Sequence, residues 1–436
     1  MVLFRKIDAA SADSISSGFN FFKIDDTDVS LSHSNFVEKL TLNPVGQPPY
    51  HFKIQEGSNY LDLSKTYILV EMKMEKKVGA GDWENTETAD NISTVQAPGL
   101  TFMKNLKVGM FGREVYNSRG LQAYKNYIDI TLNANPDVKN SYLSVAGYYE
   151  DPDSQISGAG WEARRELFTD GKIAQFVTKL NFDLSNQDRF IVSNTEIDIE
   201  IQPHDSNFMI VAPHIAADTQ ARLTITNIKL YVKILDAMDG LSLSIARLLE
   251  KQPARYPLKS SVLKSQSFIT GTREANFNVF TKEIPSQIVC MMTQTDHFNG
   301  TVSTSPLQAN HFHITDFRML WNGQQTPSVP YELDFDNGKV ARAYHDLYEN
   351  TGLAWSPHTS GITLGKFMNG WTFFVFNLTP NLENNSNFNL LQEGVLSTQI
   401  RFSQPLPAGM TMIFYATYDS ILNIDKNRLV TTDVTI

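Results

Sequence analysis

Apolar and polar residues alternate with a period of two along most of the chain. In residues 226–234, Ile228, Leu230, Val232 and Ile234 share one face, and Asn227, Lys229, Tyr231 and Lys233 share the other. That is the pattern of a strand with one buried face. Residues 195–201 alternate more strictly still, and residues 65–76 begin apolar on both faces before turning amphipathic through Glu71, Lys73 and Glu75. Residues 370–378 and 410–418 are aromatic-rich runs suited to a pleated surface. Clusters of Pro, Gly, Asn and Asp, such as Asn43 to Pro49 and Asp334 to Gly338, separate these runs. Many short strands with turn punctuation predict a sandwich or barrel.

Helical spacing is confined to three places. Leu121, Tyr124 and Ile128 share a helical face, and residues 340–348 read similarly. The third helix is expected over 241–251, with Leu241, Ile245, Leu248 and Leu249 as its stripe, Asp239 as its cap and Pro253 as its stop. Its central position marks it as a connector between two domains. The first 25 residues are polar, rich in Ser and Asp and weakly patterned, as expected of an arm ordered by a neighbour.

Similar fragments recur in the same order at a separation of roughly 200 residues. Ala123-Tyr124 matches Ala343-Tyr344, Phe182-Asp-Leu-Ser185 matches Phe376-Asn-Leu-Thr379, Gln202-Pro203 matches Gln404-Pro405, and Ile234-Leu-Asp236 matches Ile421-Leu-Asn423. One β-domain present twice explains the order. The expected division is an arm over 1–25, a first β-domain over 26–236, a connector helix and linker over 237–255, a second β-domain over 256–423 and a tail over 424–436. Pattern alone leaves tandem immunoglobulin-like sandwiches open. Long intervals between strands favour two jelly rolls, each folding eight strands into two facing sheets.

Composition narrows the function. The chain has 436 residues, 42% hydrophobic, 19% charged and 11% aromatic, which excludes a largely disordered chain. Cys290 is the one cysteine, so no disulfide framework exists, and a reducing place of synthesis is expected. The net charge of −10 argues against a basic nucleic-acid surface. No run of apolar residues is long enough for a membrane-spanning helix, and the start lacks the apolar stretch of a signal peptide.

Catalytic motifs are missing: there is no phosphate-cradling P-loop, dinucleotide fingerprint, zinc-protease helix or nucleophile elbow. Weaker constellations remain. His311 and His313, with His297 as a third ligand, would suit a metal site if both lay on one strand face, as in a cupin-like metalloenzyme. Against it, surface strands often carry histidine, and no carboxylate follows at a fitting spacing. Glu196, Asp198 and Glu200 share a strand face and read more simply as a solvated face guarding an edge than as a Ca²⁺ or acid–base set. Asp334 to Gly338 is part of an EF-hand pattern without its closing Glu, and reads as a polar turn. Cys290 reads as core, and the pairs Arg164-Arg165 and Lys76-Lys77 are too small for a nucleic-acid stripe. The expected set of catalytic, cofactor-binding and metal residues is therefore none.

Several stretches carry a family likeness. Lys251-Gln-Pro-Ala-Arg-Tyr-Pro-Leu-Lys259 follows the connector, then come Phe298-Asn-Gly300 before Phe312, Leu320-Trp-Asn-Gly-Gln-Gln-Thr-Pro327, Ala341-Arg-Ala-Tyr344 with Thr351-Gly352, and Gly370-Trp-Thr-Phe-Phe-Val-Phe-Asn-Leu-Thr-Pro380. In this order they resemble the hexon-like major capsid protein of polintons (Mavericks) and adintoviruses. Gln122 to Ile128, Asp137 to Ser141 and Leu180 to Leu184 extend the resemblance into the first half. It covers about residues 36–430. Trp321-Asn322 and Trp371 depart from the family pattern, and the loops over 76–100 and 150–170 match poorly. The resemblance implies an all-β double jelly roll with a few short helices, a homotrimer of pseudo-hexagonal outline that meets neighbouring trimers and penton or minor capsid proteins, and a place in an icosahedral virion. Synthesis in the host cytoplasm, with assembly there or in the nucleus, is implied too, and no catalysis. The alternative is a β-sandwich glycan- or receptor-binding protein, such as a domesticated endogenous copy.

Overall fold

The computed structural model describes residues 5–151, 154–380 and 387–432. Eight strands before the central helix build the first barrel: β1 (Leu31–Leu40), β2 (Tyr50–Gln55), β3 (Tyr60–Val78), β4 (Met103–Met110), β5 (Arg113–Asn117), β6 (Ile173–Lys179), β7 (Glu196–Pro203) and β8 (Thr219–Ala237). They pair antiparallel in the orders β1–β8–β3–β6 and β2–β7–β4–β5. Eight more after it build the second: β9 (Ala254–Phe268), β10 (Glu274–Phe280), β11 (Gln287–Gln294), β12 (Ile314–Trp321), β13 (Gln324–Thr326), β14 (Phe373–Asn377), β15 (Leu396–Phe402) and β16 (Met410–Ile424). Their orders are β9–β16–β11–β14 and β10–β15–β12–β13, the same connectivity repeated. The fold is a double jelly roll.

The alternation seen in the sequence sets which faces meet. Ile197, Ile199 and Ile201 on β7 are buried, as are Ile228, Leu230 and Val232 on β8. All five residues of β14 are buried, because a helix covers the face of the sheet that water would otherwise reach. Burying a side chain such as Phe373 or Phe374 contributes about 1.5–3 kcal/mol. The resulting apolar core is continuous through both barrels.

The repeat reaches the level of single bonds. β4 and β7 break register between Met103 and Asn105, opposite Pro203 and Gln202. β12 and β15 break it between Ile314 and Asp316, opposite Phe402 and Arg401. One irregularity thus recurs at the same corner of each barrel. This register corrects two of the four fragment matches. Pro203 corresponds to Phe402, so Gln404-Pro405 lies beyond the strand end, and Lys179 corresponds to Asn377, which makes Leu180 rather than Leu184 the counterpart of Leu378. The other two matches fall on equivalent elements. Leu235 and Leu422 are both buried near the ends of β8 and β16. Ala123-Tyr124 and Ala343-Tyr344 lie in α1 (Gln122–Asn133) and α3 (Ala341–Asn350), each inserted between the fifth-to-sixth strand pair of its barrel.

The connector, α2 (Asp239–Leu249), differs from expectation in two ways. Its N-cap is Met238, with no side-chain capping bond, so Asp239 is the first helical residue rather than the cap. Its apolar stripe is not buried in this chain: Leu241, Leu243 and Leu248 are exposed.

Candidate assembly surface

Two barrels act as one building block only if the seam between them is stiff. Here α1 supplies the stiffness. Tyr124 stacks on Phe298 with centroids 5.4 Å apart, and Tyr127 leans on Phe373 at 6.3 Å. Most of α1 is buried, so it serves the seam within one chain. α3 buries only Ala343 and Leu347.

Polar groups complete the seam. Asp183 accepts the Ser261 backbone N–H at 2.9 Å and the hydroxyls of Ser260 and Ser261. Its burial pushes the carboxyl above its ordinary range, although Lys125 and the serine donors pull the other way. Val192 donates its N–H to the Tyr256 hydroxyl at 3.0 Å, and Arg189 donates to the Arg255 carbonyl at 2.6 Å. Lys139, buried at 4% exposure, donates to the Thr131 carbonyl at 2.7 Å and across the seam to the Ser360 carbonyl at 2.6 Å. Beside the seam lies a cleft of about 260 Å³ lined by residues that include Arg113, Tyr116, Asp183 and Ser260.

The candidate chemistry of the sequence is dispersed. His311 and His313 do not share a strand face: they occupy a turn before β12, where Phe312 and His313 take left-handed backbone angles. His311 stacks on Phe335, and its imidazole is pushed down to about 4, first by burial and then by His313. His297 sits on the short helix Thr295–Asn299. Among the described residues no three His, Cys, Asp or Glu side chains gather to hold a metal. Glu196, Asp198 and Glu200 lie on β7, an interior strand, not the edge the sequence reading assigned. Glu196 pairs with Lys53 at 2.9 Å and Glu200 with Lys107 at 3.2 Å, so neighbouring strands neutralise them. Asp334 closes a polar turn by accepting the Asn337 N–H, as its sequence suggests. Cys290 is fully buried on β11, and burial raises its thiol well above the ordinary value.

Arg164, half of a pair too small for a nucleic-acid stripe, is completely buried and bonds Asp151 at 3.1 Å, the Thr94 carbonyl at 3.0 Å and Gln96 at 3.2 Å. Lys125 and Lys139 are buried as well. No local signal marks these three, since cations on amphipathic segments ordinarily face water.

The surface carries apolar side chains where a monomer needs none. Residues 5–29 are exposed throughout and include Ile15, Phe19, Phe21, Phe22 and Ile24. Leu241, Leu243 and Leu248 add the face of α2. In the tail, Val430–Thr432 folds back as a strand on β16, and residues 433–436 lie outside the described residues.

No family model matches the chain. It is 28% identical over 392 residues to the uncharacterized protein F54H12.2 of Caenorhabditis elegans, covering 87% of this chain and 92% of that protein. Among solved structures it superposes on a chain of the Sputnik virophage with a TM-score of 0.69 at 13% identity, over 99% of this chain and 94% of that one. The PBCV-1 virus capsid gives 0.60 at 10% identity, over 95% and 100%. The chain has the double jelly-roll fold of viral major capsid proteins. The mavirus major capsid protein agrees, with a TM-score of 0.57 at 12% identity over 100% of this chain and 97% of that one. At such identities the likeness speaks for the fold, and the fold extends over both barrels and the connector.

Proposed function

We propose that this chain is the major capsid protein of a virus or virus-like element, of the polinton–adintovirus kind that its second-half motifs resemble. It acts by self-assembly rather than catalysis. The observation that carries the reading is the rigid pair of equivalent barrels: two eight-stranded jelly rolls joined by a continuous core. Three such chains present six similar barrels, which gives a trimer the outline needed to tile a shell. The exposed arm and the apolar face of α2 are surfaces for further copies of the same chain to cover. Penton or minor capsid proteins would meet the trimers at vertices, and the product is a virion shell assembled in the host cytoplasm or nucleus. The acidic balance suits a subunit that encloses a genome without being its main binder. Light scattering after size exclusion should give three times 49.1 kDa, and negative-stain images should show pseudo-hexagonal particles. A strict monomer at high concentration in all salts would overturn the reading.

One observation favours glycan or receptor binding as a second reading. Trp355 sits in the loop after α3 at 94% exposure, the kind of flat aromatic on which a sugar stacks. A glycan array with specific hits lost in Trp355→Ala, and no assembly, would select this reading.

A further inference from the structure

We propose that Lys125 and Asn181 react with each other to form an intramolecular isopeptide bond, assisted by Asp129. Lys125 lies on α1 at 1% exposure, and its Nζ is 2.7 Å from Asn181 Oδ1. Asp129, one helical turn on, places Oδ2 3.4 Å from that Nζ. The same oxygen accepts the Asn181 amide Nδ2 at 2.5 Å. Asn186 donates its own Nδ2 to Asn181 Oδ1 at 2.8 Å. The Tyr415 ring, from the second barrel, lies 5.8 Å from the amine.

The groups an amide exchange needs are thus gathered around one side chain. The Lys125 nitrogen gives a proton to the Asp129 carboxylate and attacks the Asn181 Cγ, after rotation about the Cβ–Cγ bond turns the amide plane toward it. Negative charge develops on Oδ1, where the Asn186 N–H stabilises it. Asp129 passes that proton, and the second one that the lysine nitrogen sheds as the new amide forms, to Nδ2; the Cγ–Nδ2 bond breaks, and the nitrogen leaves as ammonium. One C–N bond forms and one breaks, with no oxidant or reductant. Lys125 is buried, and the hydrogen bonds among these side chains hold the reactants at contact distance. A chance surface ion pair would engage the amine and the carboxylate alone. Here one carboxylate oxygen touches both the attacking and the departing nitrogen. The product would staple α1 to the end of β6 beside the inter-barrel seam.

Intact-mass measurement of the purified full chain tests this directly. The expected mass is that of the sequence less one ammonia, with a tryptic peptide that joins the segments carrying Lys125 and Asn181. Lys125→Arg and Asn181→Ala should each restore the unreacted mass, and Asp129→Ala should slow or abolish the loss. A wild-type chain of full sequence mass, with the two peptides recovered separately after folding and prolonged storage, would overturn the proposal. An ammonia loss that persists in Lys125→Arg would mark a succinimide at Asn181 and overturn it equally.

Discussion

Lys139 holds an amine between two carbonyl oxygens with no carboxylate hydrogen-bonded to it. Burial pushes it down to about 8 from an ordinary 10.5, with Lys366 adding to the effect and Glu150 opposing it. Between those values the unfolded chain binds more protons than the folded one, so stability rises with pH across that window. From pH 8 to 10 the gain attributable to this group should be on the order of 2 kcal/mol. Buried tyrosines such as Tyr256, raised to about 12, act in the opposite direction as pH climbs past 10. Urea titrations of the wild type and Lys139→Met at each pH separate the two, since the lysine contribution should vanish in the variant. Arg164 makes a different prediction. Burial holds the Asp151 carboxyl above its ordinary range even with the guanidinium beside it. Arg164→Ala strips away that cation and should cost about 3–5 kcal/mol in the same assay. Neither role is legible locally. Arg164 and Arg165 are adjacent and alike in sequence, yet only the fold shows that the first turns inward while the second lies over Trp161 at 5.4 Å.

At the scale of elements, strands were legible and their surroundings were not. Alternation placed Ile197, Ile199 and Ile201 on one face of β7, because a pleat puts successive side chains on opposite sides. It could not say that β7 is interior, because neighbours in a sheet come from distant segments. The error over Glu196, Asp198 and Glu200 has that origin. The histidines at 311 and 313 were misplaced because a left-handed turn interrupts the extended spacing on which a shared face depends. The connector helix was found from its 3.6-residue period, which encodes an apolar stripe without naming its cover. Leu243 and Leu248 are exposed here, so replacing both with Glu should leave the thermal midpoint of the isolated chain nearly unchanged, within roughly 0.5 kcal/mol per site. The same double variant should weaken self-association in light scattering. An unchanged assembly would show that α2 faces no other copy.

For the whole molecule, the shared core predicts one cooperative unfolding transition rather than two. Calorimetry or urea denaturation followed by two probes checks this. Asp183→Ala, which leaves the Ser261 N–H without its acceptor at the seam, should cost about 1–3 kcal/mol while keeping a single transition. The exposed arm belongs to the next level of organisation. A chain lacking residues 1–25 should still form trimers, because no described side chain of that segment is buried, but should build shells poorly. Normal shells from that truncation, seen by negative stain, would remove the arm from the assembly.

The sequence by itself determined the β class, the two-fold repetition and three of the helices that interrupt it, but not shorter ones such as Ala159–Glu166. These follow from local periodicity and turn chemistry, which each segment carries without help. It also carried, in a handful of aromatic and Gly-containing motifs, the likeness to capsid proteins. Only the tertiary structure decided which strands are neighbours, how the repeats align residue by residue, and which cations are buried. Those depend on contacts between segments far apart in the chain. Lys125, Asp129 and Asn181 show the difference most plainly: two share a helix turn, but the third arrives from the far end of β6.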